Sequence, residues 1–131
     1  MTTSSRGRVV PQNQVVFDQA DFFESDGFTR QPGLTLSQLI LQLFFDNQLQ
    51  PWPLVTGVGV TDSQVAAGYV YLIELPAGFY NVRWFPNAVG YWRMLLTYTA
   101  GQQIECQDYD VVQTLPVTGA GLTASFIKQP C

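Results

Sequence analysis

The chain has 131 residues, a net charge of −4, 47% hydrophobic, 14% aromatic and only 12% charged residues. That length makes one domain able to bury a sizeable core, with roughly half the ~25% charge of an ordinary soluble domain. The acidic balance argues against a nucleic-acid binder with a basic stripe, and no apolar run approaches the ~20 residues of a spanning helix.

The start, MTTSSRGRVVPQNQ, lacks the apolar stretch of a signal peptide, so the product is expected in the cytoplasm of the cell that makes it. Residues 1–14 are polar and read as an N-terminal arm. Val15 to Phe23 has the mixed apolar and acidic character of a short edge strand. Glu24-Ser25-Asp26-Gly27 and Gln31-Pro32-Gly33 then supply turns on both sides of Phe28.

From Leu34 a longer strand is expected, with Leu39, Leu41, Leu43 and Phe45 on one face and Leu36, Gln38, Ile40, Gln42 and Phe44 on the other. A helix competes, because Leu36, Leu39, Ile40 and Leu43 also fit a period near 3.6. Asp46-Asn47-Gln48 ends the run as a turn, and Leu49 to Leu54 looks like an extended return. Val55 to Val60 is strand-like, and its two glycines mark a bulge or a close backbone approach. Tyr69 to Leu75 is a further strand, turned at Pro76-Ala77-Gly78.

The stretch from Gly78 to Tyr98 organises the rest. Tyr80, Val82 and Trp84 alternate with Phe79, Asn81 and Arg83, then Trp92, Met94, Leu96 and Tyr98 alternate with Tyr91, Arg93, Leu95 and Thr97. This period of two sends one set to a core wall. Pro86 to Gly90 between them is either a hairpin turn or a crossing from one sheet to another. Gln102 to Val112 forms a last strand, and residues 113–131 read as a C-terminal arm.

Six or seven short strands with glycine, proline and Asx turns specify an all-β fold, a single antiparallel β-sandwich over residues 15–112, with a small closed barrel as the alternative. The chemistry of catalysis is missing from the pattern. Without histidine there is no Ser-His-Asp or Cys-His pair and no imidazole metal site, so no catalytic, cofactor or metal residues are assigned. Cys106 and Cys131 allow one bridge at most, and free thiols are expected in a reducing compartment, with Cys106 buried.

Three residue groups invite functional readings. Asp108 and Asp110, with Glu105 nearby, offer oxygens to a hard cation, as do Asp21, Glu24 and Asp26; the competing reading is a solvated edge that discourages aggregation. Trp52, Trp84 and Trp92, with Tyr69, Tyr71, Tyr80, Tyr91 and Tyr98, offer a sugar-stacking platform, although Trp84 and Trp92 share the parity of core positions. Arg83 and Arg93, on the opposite parity, are placed to pair with acidic neighbours on the sheet or to reach an adjoining subunit.

The spacing Gly78-x-Tyr80-x-Val82-x-Trp84-x-Pro86, then Gly90-x-Trp92-x-Met94-x-Leu96 and Tyr109-Asp110-Val111, resembles immunoglobulin-like modules. Such modules recur in tailed-bacteriophage virions as head-decoration, neck and tail proteins. The resemblance implies a non-enzymatic virion structural protein, made in the host cytoplasm, without cofactors. It implies homo-oligomeric contacts and contacts with other virion proteins through the two arms and one sheet face. A carbohydrate- or surface-binding module is the alternative.

Overall fold

The computed structural model describes residues 8–113. Strands follow one another as β1 (Arg8–Pro11), β2 (Val16–Ala20), β3 (Leu39–Phe45), β4 (Gln48–Gln50), β5 (Leu54–Thr56), β6 (Val70–Glu74), β7 (Tyr80–Trp84), β8 (Gly90–Tyr98) and β9 (Gln103–Val112). Two short 3-10 turns, Leu36–Gln38 and Asp62–Gln64, are the only helical pieces among the described residues. The strands form two sheets, a five-stranded one ordered β1-β9-β8-β3-β4 and a four-stranded one ordered β2-β7-β6-β5. The fold is therefore all-β, in two separate sheets rather than one closed barrel.

One core lies between the sheets. Trp84 and Tyr80 from β7 and Trp92 and Met94 from β8 are all buried, with Tyr109 and Val111 from β9, as the alternation requires. Ring centroids of Trp84 and Trp92 are 5.3 Å apart, and Trp84 and Tyr109 are 5.0 Å apart. Trp52 joins from the crossing between β4 and β5, 5.4 Å from Trp92. The buried indole of Trp92 donates to the Ala88 carbonyl at 3.0 Å, which removes the penalty of an unpaired N–H.

Local chemistry explains the turns that set this arrangement. Asp46 and Asn47 both adopt left-handed φ, 48° and 67°, which is what a two-residue hairpin between β3 and β4 demands. Leu39, Leu41, Leu43 and Phe45 face the core, so the strand reading holds and the competing helix is confined to the 3-10 turn before it. Gly90 has φ 149°, and a Cβ there would stand 2.7 Å from Phe45 Cε1. No larger residue fits where the chain enters β8.

Of the two readings of Pro86 to Gly90 the crossing holds, because β7 belongs to the four-stranded sheet and β8 to the five-stranded one. Other expectations need correction. Pairing is not wholly antiparallel: β1 runs parallel to β9, and β5 parallel to β6. Parallel neighbours need a long connection: residues 57–69, with the Asp62–Gln64 turn, supply it between β5 and β6, and nearly the whole domain lies between β1 and β9. Arg8–Pro11, placed within the arm at 1–14 by its polar sequence context, is a strand in register with Tyr109 to Val112. Val10 is buried there, and Arg8 Nη1 donates to the Phe17 carbonyl at 2.6 Å. Cys106 is buried as expected but is disulfide-bonded, so the expected free thiol is not found; no free cysteine occurs among the described residues. Of the C-terminal arm only Gln113 lies within the described residues.

Candidate interaction surface

The outer face of the four-stranded sheet carries a continuous row of large side chains. Register places Phe17 of β2 opposite Arg83 of β7, Arg83 opposite Tyr71 of β6, and Tyr71 opposite Val55 of β5. The next row is Gln19, Asn81 and Ile73. Each belongs to the parity that alternates with the buried Val16, Val82, Trp84, Val70 and Leu72, so the pleat pushes all of them outward. Phe17 is 55% exposed, and Tyr69, at the edge of the row, 45%.

These side chains hold one another. The Arg83 guanidinium stands 5.9 Å from the Phe17 ring centroid, and the Tyr69 and Tyr71 rings are 6.3 Å apart. Arg83 Nη1 bonds Asp62 Oδ1 at 3.1 Å and approaches the Val60 carbonyl at 3.4 Å. Asp62 is presented by a 3-10 turn closed at its entry by Thr61 and Gln64. Gly57 carries this loop against the sheet: a Cβ there would lie 2.6 Å from Ile73 Cγ1 and 3.2 Å from Tyr71 Cβ. The close approach expected for one of the two glycines in VTGVGV is thus real, and its purpose is to seat the Asp62 loop beside Arg83. An arginine pre-oriented by a carboxylate and flanked by rings has little side-chain freedom left to lose on docking.

The other sequence candidates resolve differently. Asp108 accepts from Arg93 Nε at 2.7 Å, from Arg93 Nη2 at 3.2 Å and from the Tyr91 hydroxyl at 3.0 Å. The bond to Asp108 raises the Arg93 guanidinium, and burial raises the Tyr91 phenol, with Asp108 pushing the same way. This carboxylate is an arginine partner on the outer face of the five-stranded sheet. Glu105 belongs to the opposite parity and accepts the Asp21 amide at 3.0 Å, so it does not join Asp108. Asp26 accepts from the amides of Phe28 and Thr29 and from the Thr29 hydroxyl, which hold its carboxyl below the usual range. Asp21 pairs with Arg30 at 2.5 Å. No group of three or more potential metal ligands occurs among the described residues.

The aromatic platform is dismantled by burial. Trp84 and Tyr80 are fully buried and Trp92 nearly so, while Trp52 packs against them. Phe17, in the edge strand expected from Val15 to Phe23, replaces them on the surface. Its position beside Arg83 depends on which strands become neighbours.

No protein family matches the chain, and no curated protein matches it. Among solved structures, the crystal structure of the titin M3 domain aligns at 14% identity over 83% of this chain and 94% of that one, with a TM-score of 0.37. A likeness that distant does not bear on function.

Proposed function

We infer that this chain is a non-enzymatic structural subunit of a tailed-bacteriophage virion, built on an immunoglobulin-like β-sandwich, that joins neighbouring chains through the outer face of its four-stranded sheet. The observation that carries the docking reading is the row Phe17, Arg83, Tyr71, flanked by Tyr69 and Ile73. Aromatic residues and arginine dominate binding energy at protein interfaces, and the centres of such interfaces are poor in charge. A chain with only 12% charged residues suits the second condition. The virion assignment is supported by the sequence resemblance described above, and an arm-bearing sandwich suits a lattice in which each subunit grips the next.

The test is hydrogen exchange on the isolated protein and on phage particles that contain it. β2 is an edge strand, so its outward-facing amides exchange readily unless something covers them. Protection around Phe17 and on residues 1–7 and 114–131 only within the particle is the expected result, while Arg8–Pro11, paired with β9, is protected in both states. Equal exchange in both states refutes docking through this face and these arms. In that case exposed Tyr69, stacked beside the half-buried Tyr71, directs the next assay to a glycan panel.

A further inference from the structure

Three of the described arginines are held by the same two groups, a carboxylate and an aromatic ring. Arg30 pairs with Asp21 and stands 4.1 Å from the Phe79 ring centroid. Arg83 pairs with Asp62, 5.9 Å from the Phe17 centroid, and Arg93 with Asp108, 5.9 Å from the Tyr91 centroid. The carboxylate holds the charge, and the ring face attracts the flat guanidinium, a pairing that suits arginine better than the compact ammonium of lysine. Arg8 is taken by Asp18 and the Phe17 carbonyl, so no arginine among the described residues is left over.

The same two groups meet again without an arginine. At one end of the sandwich, the loop after β2 and the turn between β8 and β9 form the walls of an open groove of about 800 Å³. Phe23 and Glu24 line one wall and Tyr98 and Gln102 the other, with no basic residue in the lining. Gln103 ties the walls together, its amide accepting the Phe23 N–H at 2.8 Å and donating to the Phe23 carbonyl at 2.7 Å. Carboxylates elsewhere accept hydrogen bonds from within the chain, as those of Asp26, Asp46, Glu74 and Glu105 do. Glu24 is exposed and accepts none among the described residues. Neither Gln31 Oε1 nor the Gln102 amide, both in the groove lining, has a partner there.

We propose that this groove receives an arginine side chain presented by another protein chain, with Glu24 binding the guanidinium, Tyr98 and Phe23 lying against it, and the Gln31 and Gln102 oxygens taking its remaining N–H groups. A guanidinium offers five donors, and the groove offers acceptors that lack one. Size favours a segment of chain over a free small cation, since a groove of about 800 Å³ is large enough to enclose a drug-sized ligand. The net charge of −4 draws basic partners toward it. This groove lies beyond Ala20, past the end of β2 away from Phe17, and can be occupied whether or not the Phe17, Arg83, Tyr71 row docks.

Titration of the full chain, followed by amide NMR, tests this with three blocked tripeptides: acetyl-Gly-Arg-Gly-amide and its lysine and glutamine counterparts. The arginine peptide should shift the signals of residues 23–27 and 100–103 saturably, the lysine peptide more weakly, and the glutamine peptide not at all. Glu24→Gln removes the charge from an exposed side chain without a partner, so the native spectrum should persist elsewhere. Arginine binding should weaken by about twofold to fivefold, the usual reach of an exposed ion pair. Raising the salt concentration should act in the same direction. Three results would each overturn the arginine site: shifts no different from those with the glutamine peptide, equal binding by Glu24→Gln, or saturable binding of methyl glucoside at the same signals, which would make the groove a sugar site.

Discussion

The Tyr109 hydroxyl donates to Asp18 Oδ2 at 3.0 Å, joining the last strand of one sheet to the first strand of the other across 91 positions of sequence. Arg8 Nη1 stands 3.7 Å from the same carboxylate oxygen, so β1, β2 and β9 meet at one buried polar junction. Burial, and the Asp18 charge beside it, push the Tyr109 phenol well above its ordinary value. A raised folded value means that the folded state keeps a proton the unfolded state loses. Stability is complete below the unfolded tyrosine value near 10 and falls as pH rises beyond it. The urea midpoint should therefore stay level from pH 8 to about 10 and then decline. In Tyr109→Phe that decline should be shallower, with Tyr80 and Tyr91, both also raised, supplying the remainder. Identical alkaline slopes in the two proteins would remove Tyr109 from this role.

Arg8→Ala should show that β1 belongs to the folded domain. The substitution removes the bond to the Phe17 carbonyl and the guanidinium charge 3.7 Å from Asp18. Loss of hydrogen bonds involving a charged group at a site this enclosed is expected to cost about 1–3 kcal/mol. Urea denaturation at pH 7 measures it, and an unchanged midpoint would make β1 an ornament of the sheet edge.

Gly57→Ala should destabilise by about 1–3 kcal/mol, the usual penalty for forcing an atom into a packed site. The obstacle is mainly the Ile73 side chain, whose Cγ1 and Cδ1 would lie 2.6 and 3.1 Å from the new carbon. Much of the penalty should vanish when Gly57→Ala is made in an Ile73→Ala background. A double-mutant cycle by chemical denaturation reads the coupling, and additive effects would contradict the contact.

Phe17→Ser with Tyr71→Ser should leave the unfolding midpoint close to the native one, because Phe17 is more than half exposed and both side chains point away from the core. On the proposed virion reading, incorporation of the double variant into particles should fall sharply. Co-sedimentation with particles measures this, and full incorporation would clear the Phe17, Arg83, Tyr71 row of any part in assembly. By contrast, Trp84→Ala should cost about 3–5 kcal/mol, since it opens a cavity among Trp52, Trp92 and Tyr109.

The sequence by itself determined the central strands and their two faces. Tyr80, Val82, Trp84 and Trp92, Met94, Leu96 shared one parity, and burial of the large rings made that face the core wall. Asp46-Asn47 could only be a tight turn. Only the tertiary structure decided which strands became neighbours. Alternation says nothing about whether Pro86 to Val89 folds β8 back onto β7 or carries it to the other sheet, since both outcomes bury the same side chains. It is also silent on Arg8–Pro11, whose short run gains stability only from β9 and from Asp18, partners about 100 and 10 residues away. The candidate surface is of the same kind: Arg83 had a legible parity, but Phe17 joins it only after β2 is laid beside β7, some 60 residues later in the chain.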